Sequence, residues 1–458
     1  MEKIPYRTYL TESEFPKAWY NITADLKEPL EPFLNSDGSV VTKEQLKKLF
    51  ASTLVEHEFS KERYIPIPEE VADIYKIFRS TPLVRAYRLE KALKTSAHIY
   101  YKYEGQNPSG SHKLNSAIPQ VYYNKLDGIK KLTTETGAGQ WGTALSVACS
   151  FFGIDCDVYM VKVSGEQKPQ RRQLIETYGA KTYLSPSTNT QNGRDILAKD
   201  PNNGGNLGIA ISEAVEAALR ENAHYALGSV LNHVILHQTI VGEEAKLQFE
   251  KVGEYPDMVI SCVGGGSNFG GIAFPFVGDM LRGEKSGTQF IAVEPAACPT
   301  ITKGKYAYDY GDTAHLTPLM LQYTLGNSFM PPKIHSGGLR YHGMNTIVSK
   351  LCHENIVEAV NIAQNEVFES ALLFANVEGI LPAPESGHAI AEAFRRIRAL
   401  KKGEEKVILF NVTGHGNFDM AAYENYKSGK IIDVEYDDEM LEKGFESIPR
   451  IEANKGRI

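Results

Sequence analysis

Two sequence textures that alternate along the chain limit its fold more than any other feature. From about residue 95, β-branched and aromatic runs take turns with helical stretches: AHIYYKYEG, KLNSAIPQVYYNK, KKLTTE, QWGTALSVACSFFG, CDVYMVKV, QRRQLIETYG and AKTYLSP. Strand, helix, strand, helix marks α/β crossovers on a mainly parallel sheet. A second series follows AHYALGS, with strands at DMVISCVGGG, TQFIAVE and EKVILFNVTG. For 458 residues, against domains of about 100–200 residues, two α/β units are the economical reading. The first 78 residues differ, with many prolines and acidic positions and little periodicity before TKEQLKKLF. They read as an extension that wraps or covers something.

Composition narrows the function. Lys and Arg total 49 against 56 Asp and Glu, a net charge of −7, so no global positive field favours nucleic acid or an anionic membrane surface. The apolar runs are far shorter than the roughly 20 residues of a bilayer span. The expected partner is a small molecule. The cysteines at 149, 156, 262, 298 and 352 lack the paired short spacings of a disulfide framework or zinc site. With a charged N-terminus in place of an apolar signal stretch, these free thiols point to the cytoplasm.

Open α/β sheets bind ligands where strand C-termini meet helix N-termini, and four such junctions carry polar or glycine-rich sequence. At Asn107-Pro-Ser-Gly-Ser-His112-Lys113-Leu-Asn115, a lysine stands at a glycine-rich helix start beside an imidazole. Most lysines are solvated, but a desolvated amine here could form a Schiff base. At Glu135-Thr136-Gly137-Ala138-Gly139-Gln140, the GxGxxG pattern suggests a dinucleotide only if an acidic residue ends the next strand. That strand, DVYMVKV, ends in Val161, Lys162 and Val163, so what remains is a run of backbone amides suited to a carboxylate, with Glu135 beside it. At Gly264-Gly265-Gly266-Ser267-Asn268, three glycines let the backbone approach an oxyanion and a hydroxyl adds a donor, which makes a phosphate cup. No GxxxxGK[ST] lysine accompanies it, which disfavours a nucleoside triphosphate. At Asn411-Val-Thr413-Gly414-His415-Gly416, one neutral hydroxyl ends a strand.

A Schiff-base lysine, a cup for one phosphate, a carboxylate loop and a neutral hydroxyl together suit pyridoxal phosphate. In order, STPLVRAYRLEKAL, GSHKLN, ETGAGQWG, GGGSN, EGILPAPESGHA and NVTGHG resemble the motifs of the tryptophan synthase β-chain family. The long extension and SGGLRYHG resemble its second, stand-alone subfamily. The resemblance implies the fold-type II architecture: two open, mostly parallel-sheet α/β domains with the active site between them. Their expected bounds are 79–111 with 231–430 for the larger domain and 112–230 for the smaller, flanked by the extension 1–78 and a tail 431–458.

The resemblance also implies roles. Lys113 would carry the cofactor and remove the donor's α-proton; Glu135 would be the acid–base catalyst. His112, Asn115, Gly264, Gly265, Gly266, Ser267 and Asn268 would hold the cofactor, with Glu378 near its ring and Thr413 at its pyridine nitrogen. Thr136, Gly137, Ala138, Gly139 and Gln140 would grip the substrate carboxylate. A monovalent cation at the backbone carbonyls of Gly264, Tyr341 and Gly343 rests on the resemblance alone. The implied reaction is that of a lyase that joins indole, through an aminoacrylate, to serine or O-phosphoserine; a deaminase or a synthase with another nucleophile is the alternative. A homodimer without an α-type partner is expected, because the extension would occupy the surface where β-chains meet an α-subunit.

Two positions depart from the family pattern: Trp141 stands where most members carry His, and Arg340 where most carry Asp. An arginine suits a phosphate, which a guanidinium matches bidentately, so O-phosphoserine is the favoured donor, with Arg340 and then His342 at the leaving phosphate. His233 and His237 share a helix face but lack the Glu and third ligand of a metal site, and read as packing or hydrogen-bonding residues. A helix with an apolar core stripe is expected from Asn355 to Phe374.

Overall fold

The computed structural model describes residues 4–434 and 438–458; residues 1–3 of the extension and 435–437 of the tail lie outside the described residues. Seven strands form the larger sheet in the order Arg7–Thr8, Leu83–Arg85, His98–Tyr103, Val407–Val412, Met258–Cys262, Gln289–Pro295 and Val357–Ile362. The last five are parallel, and Leu83–Arg85 is antiparallel to both its neighbours. The central strand Met258–Cys262 is buried at every position. That is why MVISC reads as an unbroken apolar run: a parallel strand is covered on both faces. The smaller sheet, Lys181–Ser185, Asp155–Val161, Lys131–Thr136 and His224–Tyr225, is parallel throughout. Both series of strands fall on the textures that mark them.

One element differs from its expectation. Residues 355–374 are not one helix: Val357–Ile362 is an edge strand, and the helix spans Gln364–Glu378. Asn355, at φ 57°, follows the helix Thr346–His353. In VEAVNI the β-branched residues then pair with Gln289–Pro295 over six positions. The expected stripe survives in the helix, where Val367, Phe368, Ala371 and Phe374 are buried.

The extension is built into the core. Arg7–Thr8 adds an edge strand, Leu34 exchanges backbone hydrogen bonds with Leu319 at 3.0 and 2.9 Å, and Thr42 and Gln45 form a capping box on the single turn Lys43–Leu46. The Glu58 carboxylate accepts from the Asn232 and His233 amides and from His233 Nδ1. His57 Nδ1 lies 3.2 Å from His237 Nε2, so both helix histidines are hydrogen-bonded to the extension. No group of three or more His, Cys, Asp or Glu that could hold a metal occurs among the described residues. Beneath the Lys113 segment, Arg79 pairs with Glu104 at 3.0 Å and Glu244 at 2.7 Å, and Lys102 pairs with Glu244 at 2.7 Å, all with fully buried side chains. Among the described residues no helix is long and apolar enough to cross a membrane.

Candidate active site

Segments that follow strands of both sheets line one cavity of about 1400 Å³, counted with its open mouth. The helix Leu114–Leu126 begins beside it, capped by Lys113. The Lys113 Nζ donates to the Gly228 carbonyl at 2.7 Å and lies 3.4 Å from Ser267 Oγ. Burial pulls this amine down to about 8, against the opposing pull of the Glu135 charge. His112 Nε2 is also 3.4 Å from Ser267 Oγ, and its Nδ1 shares a hydrogen bond with Thr413 Oγ1. Burial, then the Lys113 charge, pushes its imidazole down to about 3, so it stays neutral.

The glycine-rich segments stand where the sequence places them. Gly264, Gly265 and Gly266 line the cavity with Ser267 and Asn268 at the start of the helix Ser267–Leu281. Gly266 caps that helix at φ 110°, a left-handed conformation that other residues rarely adopt. A Cβ on Gly265 would come within 2.4 Å of Ser229 Oγ, so the backbone leaves no room for a side chain. Asn268 turns its amide back to Ser261 Oγ at 2.7 Å and the Cys262 carbonyl at 2.9 Å. Thr136, Gly137, Ala138 and Gln140 line the cavity at the start of the helix Gln140–Phe152. Gly139 caps that helix at φ 95° and packs behind the loop, its Cβ position 2.8 Å from Arg171 Cβ. Glu135, at the end of its strand, accepts a hydrogen bond from the Tyr225 hydroxyl, and burial raises its carboxyl to about 7.

Several expected site residues are engaged elsewhere. Glu378 does not reach the cavity: it accepts from the Leu89 amide at 3.0 Å beside Tyr101, because it ends its helix on the far side of the turn. Glu385 of the same EGILPAPESGHA motif lines the cavity instead, accepting from the Gly338 amide at 2.9 Å. Burial pushes its carboxyl up, but the Lys168 charge and the Gly338 amide outweigh it and hold it below the ordinary value. Arg340 lies between cavity-lining Leu339 and Tyr341, yet its Nη2 donates to the Pro331 carbonyl at 2.8 Å. His342 Nε2 is 2.9 Å from the Tyr310 carbonyl, also off the cavity. Asn115 bonds Arg79, Glu104 and Gln238, supporting the Lys113 helix from below. Of the proposed cation carbonyls, that of Tyr341 accepts from Thr300 Oγ1 at 2.9 Å, and Gly343 packs against Gln322, outside the cavity lining.

Sequence reasoning missed three groups. Arg171, 1% exposed, lines the cavity over the Phe418 ring, and none of its three guanidinium nitrogens has a hydrogen-bond partner among the described residues. Burial lowers its affinity for a proton, partly offset by Asp419 and Glu385; Asp419 itself pairs with Lys168 at 2.5 Å. Tyr225 and Gly228 hold the two reactive groups, and only AHYALGS marks them in the sequence. From the extension, Phe33, Leu46, Leu49 and Phe50 form part of an apolar wall near Glu135.

This donor set fits pyridoxal phosphate. Lys113 supplies an amine for a Schiff base, the 264–268 turn a phosphate cup, and Glu385 and Ser111, whose buried Oε2 and Oγ have no hydrogen-bond partner among the described residues, line the same space. Residues 74–414 match the family described as pyridoxal-phosphate dependent enzymes. The tryptophan synthase beta chain 2 of Methanosarcina mazei is 55% identical over 425 residues, covering 92% of this chain and 96% of its own. The tryptophan synthase beta chain of Pyrococcus horikoshii is 54% identical over 437 residues, covering 94% and 95%. Among solved structures, a threonine deaminase from T.th. shares the fold at TM-score 0.56 and 17% identity, covering 77% of this chain and 99% of its own. The chain belongs to the tryptophan synthase beta chain family of pyridoxal-phosphate-dependent enzymes.

Proposed function

We propose that this protein replaces the β-substituent of a serine-type amino acid with indole, forming tryptophan. The observation that carries the reading is one cavity lined together by Lys113, Glu135, the 264–268 turn and apolar side chains of the extension. When bound, pyridoxal phosphate supplies an electron-withdrawing ring that acidifies the donor's α-hydrogen. Lys113, with its amine near neutrality, accepts that proton at Nζ and returns it to the product. The Thr136–Gln140 amides orient the donor carboxylate at a helix start. Glu135, poised at about 7, is suited to give a proton to the leaving oxygen and to take one from the indole nitrogen. The apolar wall seats the indole ring and excludes water. Thr413 offers a neutral hydroxyl, which cannot hold a pyridinium as a carboxylate does and so favours elimination and replacement over transamination.

For the donor we propose O-phosphoserine over serine. Its support is Arg171, a buried arginine of the cavity lining whose Cβ packs on Gly139 behind the carboxylate loop, with Arg340 between the lining residues Leu339 and Tyr341. A homodimer that works without an α-type partner is proposed from the length of the extension alone, and the free cysteines suit the reducing cytoplasm. A sodium, potassium or ammonium requirement would extend the family's cation to the Gly264, Tyr341 and Gly343 carbonyls. The test is tryptophan formation from indole with each donor, beside keto-acid release without indole. Keto acid as the sole product would make the protein a deaminase.

A further inference from the structure

We propose that Tyr225 is a positioning residue for Glu135: its phenol holds one carboxylate oxygen so that the other faces the reacting atoms, and the N-terminal extension sets the phenol in place. The proposal rests on the acid–base role given to Glu135. Tyr225 is buried and lines the cavity, and its hydroxyl donates to Glu135 Oε2. Its strand pairs Thr133 with Tyr225, two residues before Glu135 on the neighbouring strand. Three residues further on, the Gly228 carbonyl accepts from Lys113 Nζ, so a single segment holds both reactive side chains.

That segment is fixed from several directions. Ala226 N donates to Thr133 O at 3.0 Å, and Gln120 bonds both the amide and the carbonyl of Leu227, at 3.2 and 2.9 Å. From the extension, the Leu49 carbonyl accepts from Tyr225 N at 2.8 Å, and the Phe50 ring lies 5.9 Å from the Tyr225 ring. A buried phenol needs some acceptor, and the one Tyr225 takes is the group that must change protonation. Burial beside Glu135 pushes the phenol's own ionisation far up, so it remains a donor throughout. The charged and titratable groups around the pair are Lys113 on one side and Tyr341 and Asp312 on the other.

A hydrogen bond to the charged form of a carboxyl favours that form, so removing it shifts the titration upward. In the holoenzyme, Tyr225→Phe keeps the ring and its packing. The acidic limb of kcat against pH is expected to rise by about one pH unit, with the donor KM changed less than about twofold. Replacing Tyr225 with 3-fluorotyrosine, a stronger donor, should move the limb the other way, and Phe50→Ala should move it up by less. In a Glu135→Gln background, Tyr225→Phe should cost nothing further. An unmoved limb in both Tyr225 replacements, or an equal loss in the Glu135→Gln background, would overturn the positioning role. Full activity in Glu135→Gln alone would instead overturn the acid–base role on which it rests.

Discussion

Replacing Arg171 with methionine should make the protein more stable and a poorer user of O-phosphoserine. The stability half follows from desolvation. A guanidinium with 1% exposure has no hydrogen-bond partner on any nitrogen among the described residues, and the nearby carboxylate of Asp419 is already paired with Lys168. Exchanging buried charge for an apolar side chain of similar length is neutral or stabilising by about 1–4 kcal/mol. The contact with the Phe418 ring, 4.6 Å from the guanidinium carbon, is one that a thioether can also make. The functional half has the opposite sign. A charge-assisted hydrogen bond to a phosphate contributes about 1.5–3 kcal/mol, so kcat/KM for O-phosphoserine should fall about 10- to 150-fold, while serine, which lacks the phosphate, changes less than about threefold. The assay pairs urea unfolding of the holoenzyme with tryptophan formation from each donor. A variant equally impaired with both donors, or one destabilised by more than about 1 kcal/mol, would refute the reasoning.

Arg340→Asp should lower the ratio of O-phosphoserine to serine use by about tenfold or more, if binding draws Arg340 from the Pro331 carbonyl; an unchanged ratio assigns the phosphate to Arg171 alone. Lys113→Ala should abolish indole-dependent turnover and the borohydride-sensitive absorbance of the bound cofactor. Glu135→Ala should slow turnover by about 10²–10⁴-fold with cofactor affinity unchanged, and loss of cofactor with a normal saturated rate would make Glu135 structural. Arg79→Met should destabilise the fold by about 3–5 kcal/mol, since the buried Glu104 then loses its ion-pair partner and Glu244 keeps only Lys102; denaturation midpoints check it. Burial, then the neighbouring His233, depresses His57 to about 4 from its ordinary 6.5. The unfolded chain therefore takes up the proton first, and about 3 kcal/mol present above pH 6.5 is lost progressively as pH falls through about 4. His57→Asn should show a smaller fall over that window.

What could be seen in the sequence was whatever local geometry dictates. Gly139 and Gly266 are required by left-handed helix caps, and both lie in glycine-rich turns shortly after strands, Lys131–Thr136 and Met258–Cys262, so a site made of backbone amides leaves a contiguous mark. Lys113 shares that mark because it caps its own helix. Glu385 was within reach by the same logic: Pro384 opens the helix Pro384–Ala399, and a carboxylate in a first turn beside a cavity is a better candidate than Glu378, which ends a helix. The Asn355 error has a local cause too, since the apolar positions of VEAVNI suit either period until pairing with Gln289–Pro295 decides between them.

Arg171 and Tyr225 left no such mark, because their roles depend on what the rest of the chain brings to them. Arg171 stands in QRRQLIET among residues that face water, and only the approach of Phe418 and Asp419, some 250 positions on, turns it into a buried cation. Tyr225 sits in a two-residue strand, and its value lies in where Glu135 ends the neighbouring one. The extension follows the same rule. Leu46, Leu49 and Phe50 stand at i, i+3 and i+4, so a buried face was legible, but periodicity cannot say whether that face meets a core or a cavity. Here it meets both: Leu49 holds the backbone of Tyr225 while its side chain lines the wall. Damage to the extension should therefore reach the acid–base chemistry at Glu135 as well as the seat of the indole ring, and a segment that reads as a covering is part of the active site it covers.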